Sequence, residues 1–124
     1  MIAGRVQSDE ARIRLKIRGP KGKEEQVDAI VDTGFTASLT LPGALIIALG
    51  LRWQTVESFT LADGSECLFE VYVGKVEWDG KLRTILVDEA DADPLVGMRL
   101  LRGCELKIQV RSRGKVTIKR LPRK

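Results

Sequence analysis

Ala29-Ile30-Val31-Asp32-Thr33-Gly34 carries a run of apolar residues straight into a small polar cluster. Begun at Val27, the run reads as a strand, and Asp-Thr-Gly suits a tight loop at its end. Upstream, Ile13, Leu15 and Ile17 alternate with Arg12, Arg14, Lys16 and Arg18, the period of two of a half-buried strand, and a turn follows at Gly19-Pro20-Lys21-Gly22. Downstream, Leu39-Thr40-Leu41 returns as a short strand. Pro42 stands where a helix can begin, Ala44 to Leu49 favours one, and Gly50 is placed to end it.

From Val56 to Asp88 nearly everything reads as β. Asp63-Gly64 and Asp79-Gly80 each separate runs rich in valine, aromatic and β-branched residues, which predicts two successive hairpins. Asp93-Pro94 precedes Leu95-Val96-Gly97-Met98-Arg99-Leu100-Leu101, expected as a short helix or helical turn that Gly103 ends. Leu106, Ile108 and Val110 alternate again, and Val116, Ile118 and Leu121 predict a closing strand after a turn at Ser112-Arg113-Gly114. The expectation is an all-β fold, mostly antiparallel, with one or two short helices. It forms a single domain over 1–124, with a basic C-terminal strand and tail from about 111 to 124.

At 124 residues and 44% apolar content the chain supplies one core and leaves little for a second. It has no histidine. That excludes Ser-His-Asp and Cys-His nucleophile systems and histidine-ligated zinc, so any chemistry falls to carboxylates, hydroxyls, amines or thiols. Met1 to Glu10 has no apolar run of the secretory kind, and Leu41 to Leu51, interrupted by Pro42, Gly43 and Gly50, is too short to span a bilayer. A cytoplasmic protein without membrane contact is expected. Cys67 and Cys104 show neither metal-ligand spacing nor the density of a disulfide scaffold, and read as buried free thiols.

Asp-Thr-Gly is only three residues long, and its context is what makes it informative. The strand Val27 to Val31 precedes it, and Leu95-Val96-Gly97 comes well downstream, before Leu100-Leu101. In the order and spacing of these elements, from about Arg12 to Val110, the chain resembles the retropepsin-like aspartic proteases, the single-lobed group that includes the retroviral enzymes. The resemblance implies a small closed antiparallel β-barrel. It makes Asp32 the catalytic carboxylate, gives Thr33 the hydroxyl that reaches to a partner's loop, and has Gly34 let the backbone come close. The turn at Ala62, Asp63, Gly64 and Ser65 becomes the tip of a flap over substrate. Thr84-Ile85-Leu86-Val87 matches the family's inner strand, and Phe35, Leu86 and Val96, with Ile30 and Leu61, are expected in the walls of a substrate pocket. No cofactor and no metal are implied.

Peptide hydrolysis by direct attack of water needs a base for the water proton and an acid for the carbonyl oxygen. Two adjacent carboxylates sharing one proton supply both. The chain has one Asp-Thr-Gly, so the second carboxylate has to come from another copy, which predicts a symmetric homodimer acting on an extended peptide or protein substrate, with an acidic optimum. A catalytically weak or inactive dimeric protein-binding module is the alternative. Phe35 stands where the retroviral enzymes have alanine, and Thr36 and Met98 stand where they pair an aspartate with an arginine, so dimerisation is expected to rest on other contacts.

Three further features have plainer readings. Asp88, Glu89, Asp91 and Asp93 lack the spacing of a calcium loop and read as a solvated acidic turn. The basic residues from Arg111 onward have no aromatic side chain among them to stack on bases, so a solubilising edge strand and tail is expected there and nucleic acid is not. Trp53 and Trp78 are expected to pack on the sheet.

Overall fold

The computed structural model describes residues 1–123. It is 57% strand and 9% helix, a mostly β chain with two short helices. The ten strands are β1 (Ile2–Gln7), β2 (Glu10–Arg18), β3 (Glu24–Val31), β4 (Leu39–Leu41), β5 (Arg52–Thr60), β6 (Glu66–Trp78), β7 (Lys81–Glu89), β8 (Leu95–Val96), β9 (Cys104–Ile108) and β10 (Lys115–Arg120). The helices are α1 (Gly43–Leu49) and α2 (Met98–Leu101). They form one sheet in the order β5-β6-β7-β4-β8-β3-β2-β1-β10-β9, and β2 pairs in addition with β6.

The alternating pattern of β2 behaves as its sequence dictates. Ile13, Leu15 and Ile17 enter the core, while Arg14 lies opposite Asp28 and Arg18 opposite Glu24 on β3, so unlike charges face each other across the outer surface. Helix α1 starts after Pro42 and ends at Gly50, whose φ of 65° is the left-handed cap that glycine tolerates. The β5–β6 and β6–β7 hairpins turn at the two Asp-Gly pairs.

Several expectations need correction. The sheet is mixed, because β3 pairs with β8 and β4 with β7 in parallel. Leu95 and Val96 are a strand, and the helix begins only at Met98. Residues 2–7, unread in the sequence, form β1, whose inward positions are Ile2, Gly4 and Val6. A Cβ on Gly4 would lie 2.0 Å from the Arg12 carbonyl oxygen, so close approach requires a glycine there and hides the apolar period. Ser8 and Asp9, both at positive φ, make the tight turn into β2. With β1 on one side and β9 on the other, β10 is an interior strand, and β9 is the edge. Val110 lies beyond β9 and is 80% exposed, and Leu121 lies beyond β10.

Trp78 is in the core as expected, whereas Trp53 is 58% exposed and donates its indole N–H to Glu70. Cys67 and Cys104 are free thiols, half-buried instead of buried. Lys124 lies outside the described residues, so the basic tail is seen only to Arg123.

Candidate functional site

Strand β8 lies between β3 and β4: Ile30 and Val31 run parallel to Leu95 and Val96, and Leu39 lies opposite Val96 from the other side. The chain from Val31 to Leu39 therefore has to cross from one flank of β8 to the other, and Asp32 stands at the start of that crossing. Its backbone N–H donates to the Val96 carbonyl at 2.9 Å, and its own carbonyl accepts the Phe35 N–H at 3.1 Å. The Gly34 N–H donates to Asp32 Oδ1 at 2.9 Å, which fixes the orientation of the carboxylate. Asp32 is half-buried, and Thr33 and Gly34 are exposed.

The crossing is braced along its length. Gly97 N–H donates to Ser38 O at 3.0 Å, Met98 N–H to Phe35 O at 2.8 Å and Arg99 N–H to Ala37 O at 3.2 Å. Gly97 is where the two segments touch most closely: a Cβ there would sit 2.1 Å from Ala37 O and 2.6 Å from the Phe35 ring. Its φ of −105° is ordinary extended backbone, so space alone demands glycine. From the far side, Thr40 Oγ1 accepts the Leu95 N–H at 2.9 Å.

Of the residues singled out in the sequence, Asp32, Gly34, Phe35 and Val96 are brought together in this unit. Val96 corrects one expectation, since its side chain is 0% exposed in the core and it serves the site by its carbonyl; Leu95 and Ile30 beside it are half-buried. Ala62, Asp63, Gly64 and Ser65 are the exposed tip of the β5–β6 hairpin. Ser65 donates its N–H to Asp63 Oδ1 at 2.9 Å and its hydroxyl to the same oxygen at 2.6 Å, which holds the Asp63 carboxyl below its usual range. Leu86 is half-buried in β7, opposite Val73.

Two residues were not anticipated. Asp88 belongs to β7, is 3% exposed and lies opposite Thr40 and Val71, not in a solvated turn. Burial pushes its carboxyl up to about 6, the negative charge of Glu57 adds to this, and Arg99 opposes it. The alternation of β7 held no signal of this burial, because Asp88 shares a face with Leu86, opposite the core residues Ile85 and Val87. Arg12 forms ion pairs with Glu10 at 2.8 Å, Asp28 at 3.0 Å and Asp93 at 3.5 Å, tying the approach to β8 onto β2 and β3. Its guanidinium is raised above its ordinary value chiefly by the Glu10 hydrogen bond.

Among the described residues no group of three His, Cys, Asp or Glu side chains could hold a metal ion, and no helix is long and apolar enough to cross a membrane. No protein-family model matches the chain, and no curated protein matches it either.

Proposed function

We propose that this chain is one subunit of a symmetric homodimeric aspartic endopeptidase of the retropepsin type, in which two Asp32 carboxylates, one from each copy, activate a water against an extended peptide. The observation that carries the reading is the placement of Asp32: a half-exposed carboxylate held by Gly34 N–H, on a loop tied to the segment from Val96 to Arg99 by four backbone hydrogen bonds. Catalysis needs a carboxylate that does not wander, and the bracing by Val96, Gly97, Met98 and Arg99 supplies that rigidity.

The strand pairs also suit this fold. The circuit β2-β3-β8-β4-β7-β6 returns to β2, which reads as a small closed barrel, with the β5–β6 hairpin extending from it as the flap. In the assembled enzyme one Asp32 is ionised and takes a proton from water while the other, protonated, gives its proton to the scissile carbonyl oxygen. The pair then shares the remaining proton. Thr33, exposed and without a side-chain hydrogen bond among the described residues, reaches across to the partner's loop. Phe35, half-buried against Gly97, and Leu95 beside it favour apolar side chains in the substrate. Two free cysteines fit a reducing compartment such as the cytoplasm.

The test is digestion of an unfolded polypeptide at acidic pH. The wild type cleaves it, a peptide mimic with a central hydroxyl in place of the scissile carbonyl inhibits, and Asp32→Asn abolishes cleavage while circular dichroism and sedimentation stay unchanged. Identical behaviour of wild type and Asp32→Asn would overturn the reading in favour of a non-catalytic binding module.

A further inference from the structure

The end of the β6–β7 hairpin lies against the start of β9 and the end of β10, and these three segments enclose a cavity of about 570 Å³. Trp78 and Lys81 are opposite each other across the Asp79-Gly80 turn, and Arg83, two residues further along β7, projects from the same face as Lys81. Past helix α2, Arg102 and Gly103 lead into Cys104, which lies opposite Arg120 in the β9–β10 ladder. The Leu121 N–H donates to Gly103 O at 2.9 Å, so the chain beyond β10 continues along this wall through Pro122 to Arg123.

Five cations thereby line one cavity: Lys81, Arg83, Arg102, Arg120 and Arg123. Among the described residues no aspartate or glutamate lines it, and none of the five forms an ion pair. Asp79, at the hairpin turn, is already engaged: the hydrogen bond from the Met1 amino group holds its carboxyl below the usual range, with weaker pulls from Arg120 and Lys81. Like charges gathered around a concave wall repel one another, and a multivalent anion relieves that repulsion. Four of the five are guanidiniums, whose planar fork matches two phosphate oxygens at once. Arg83 is half-buried and donates to Leu100 O at 3.4 Å, which anchors this cation at the wall.

The cavity also has an apolar side. Trp78, 3% exposed, closes its floor, while Leu121, 47% exposed, and Pro122 flank it. Its volume falls within the range of sites that enclose a small organic ligand. A nucleic-acid strand calls instead for a long basic groove with open aromatic rings on which successive bases stack, and the ring at this cavity is buried.

We infer that this cavity binds a small organic polyphosphate of the nucleoside triphosphate class, with its phosphates among the arginines and its apolar part against Leu121 and Pro122. No residue of the Asp32 loop lines the cavity, so the site stands apart from the proposed protease chemistry and does not depend on it.

Titration calorimetry of the full chain, without divalent cations, tests this with ATP, inorganic tripolyphosphate and adenosine. ATP binds once per chain and at least about tenfold more tightly than tripolyphosphate, adenosine gives no heat in the same range, and the affinity for ATP falls as salt rises. Arg102→Gln and Arg120→Gln change exposed side chains and leave the fold intact by circular dichroism. Each weakens ATP by about tenfold, as the loss of a charge-assisted hydrogen bond implies. Arg111→Gln removes the same charge outside the cavity and leaves the affinity within about twofold of wild type. In NMR spectra the Gly103 and Leu121 amides shift as ATP is added. Absence of ATP binding at millimolar concentration, unchanged affinity in Arg102→Gln and Arg120→Gln, or an equal loss in Arg111→Gln overturns the site. Tripolyphosphate binding as tightly as ATP overturns the organic part of the assignment. Tighter binding of a single-stranded oligonucleotide or an anionic lipid vesicle through the same arginines overturns the small ligand.

Discussion

Asp32 donates its backbone N–H to the carbonyl oxygen of Val96 at 2.9 Å, so the candidate catalytic residue and the strand 64 positions later are held as one rigid unit. Everything proposed about the site depends on that link and on the glycine that follows it.

Gly97→Ala puts a methyl 2.1 Å from the Ala37 carbonyl oxygen and 2.6 Å from the Phe35 ring, and a backbone carbonyl cannot step aside as a flexible side chain could. The variant loses about 3 kcal/mol of stability, at the upper end for overpacking. On the proposed reading it also loses cleavage under conditions where it remains folded, because the Asp32 loop shifts. Urea unfolding and a cleavage assay below the transition measure the two effects separately.

Asp88 gives a pH signature. Its carboxyl rises from the usual 3.8 to about 6 in the folded protein, so folding favours its protonated form. The stability this represents is fully present below pH 3.8, is lost as the pH climbs through about 6, and stays lost above that. Asp88→Asn, which cannot ionise, matches the wild type at low pH and is more stable at pH 7 by about 1–3 kcal/mol. Chemical denaturation across the range checks this; a difference that does not vary between pH 4 and 7 contradicts it.

Arg12 holds three carboxylates from three segments through its forked guanidinium. Arg12→Gln costs about 1 kcal/mol at low salt and less at high salt, since all three partners are well exposed. Exchange of the Ile30 amide, which donates to Pro94 O, should quicken in the variant.

At the hairpin tip, Asp63→Ala removes the acceptor for both Ser65 bonds. The turn is exposed, so thermal stability hardly changes. On the proposed reading, a looser flap raises KM for peptides more than it lowers kcat, which steady-state kinetics resolves.

The sequence made the central strands legible because Ile13, Leu15 and Ile17 on β2 and the Asp-Gly turns of the two hairpins obey local rules without tertiary help. Asp32, Gly34 and Phe35 were found from the loop motif, and the structure joins them to the segment after Leu95 that the sequence had flagged separately. What stayed hidden depended on contacts between distant segments. Strand β1 was missed because Gly4, packed against Arg12, carries no apolar side chain to mark the inner face. The position of β10 inside the sheet followed from that omission. Asp88 was misread because acidic neighbours on one side suggested a loop, while its burial comes from strands that lie beside it only in the fold. Val96 was expected to face a ligand, yet a two-residue strand between β3 and β4 turns it into the core.

The proposed catalysis requires two Asp32 side chains to meet at a two-fold axis, and a crystal structure of the assembled protein measures their separation directly. The prediction is a carboxylate oxygen of each within hydrogen-bond reach of the other, about 3 Å apart, as one shared proton requires. A dimer with the two Asp32 residues on opposite faces, too far apart for one water to touch both, would contradict it.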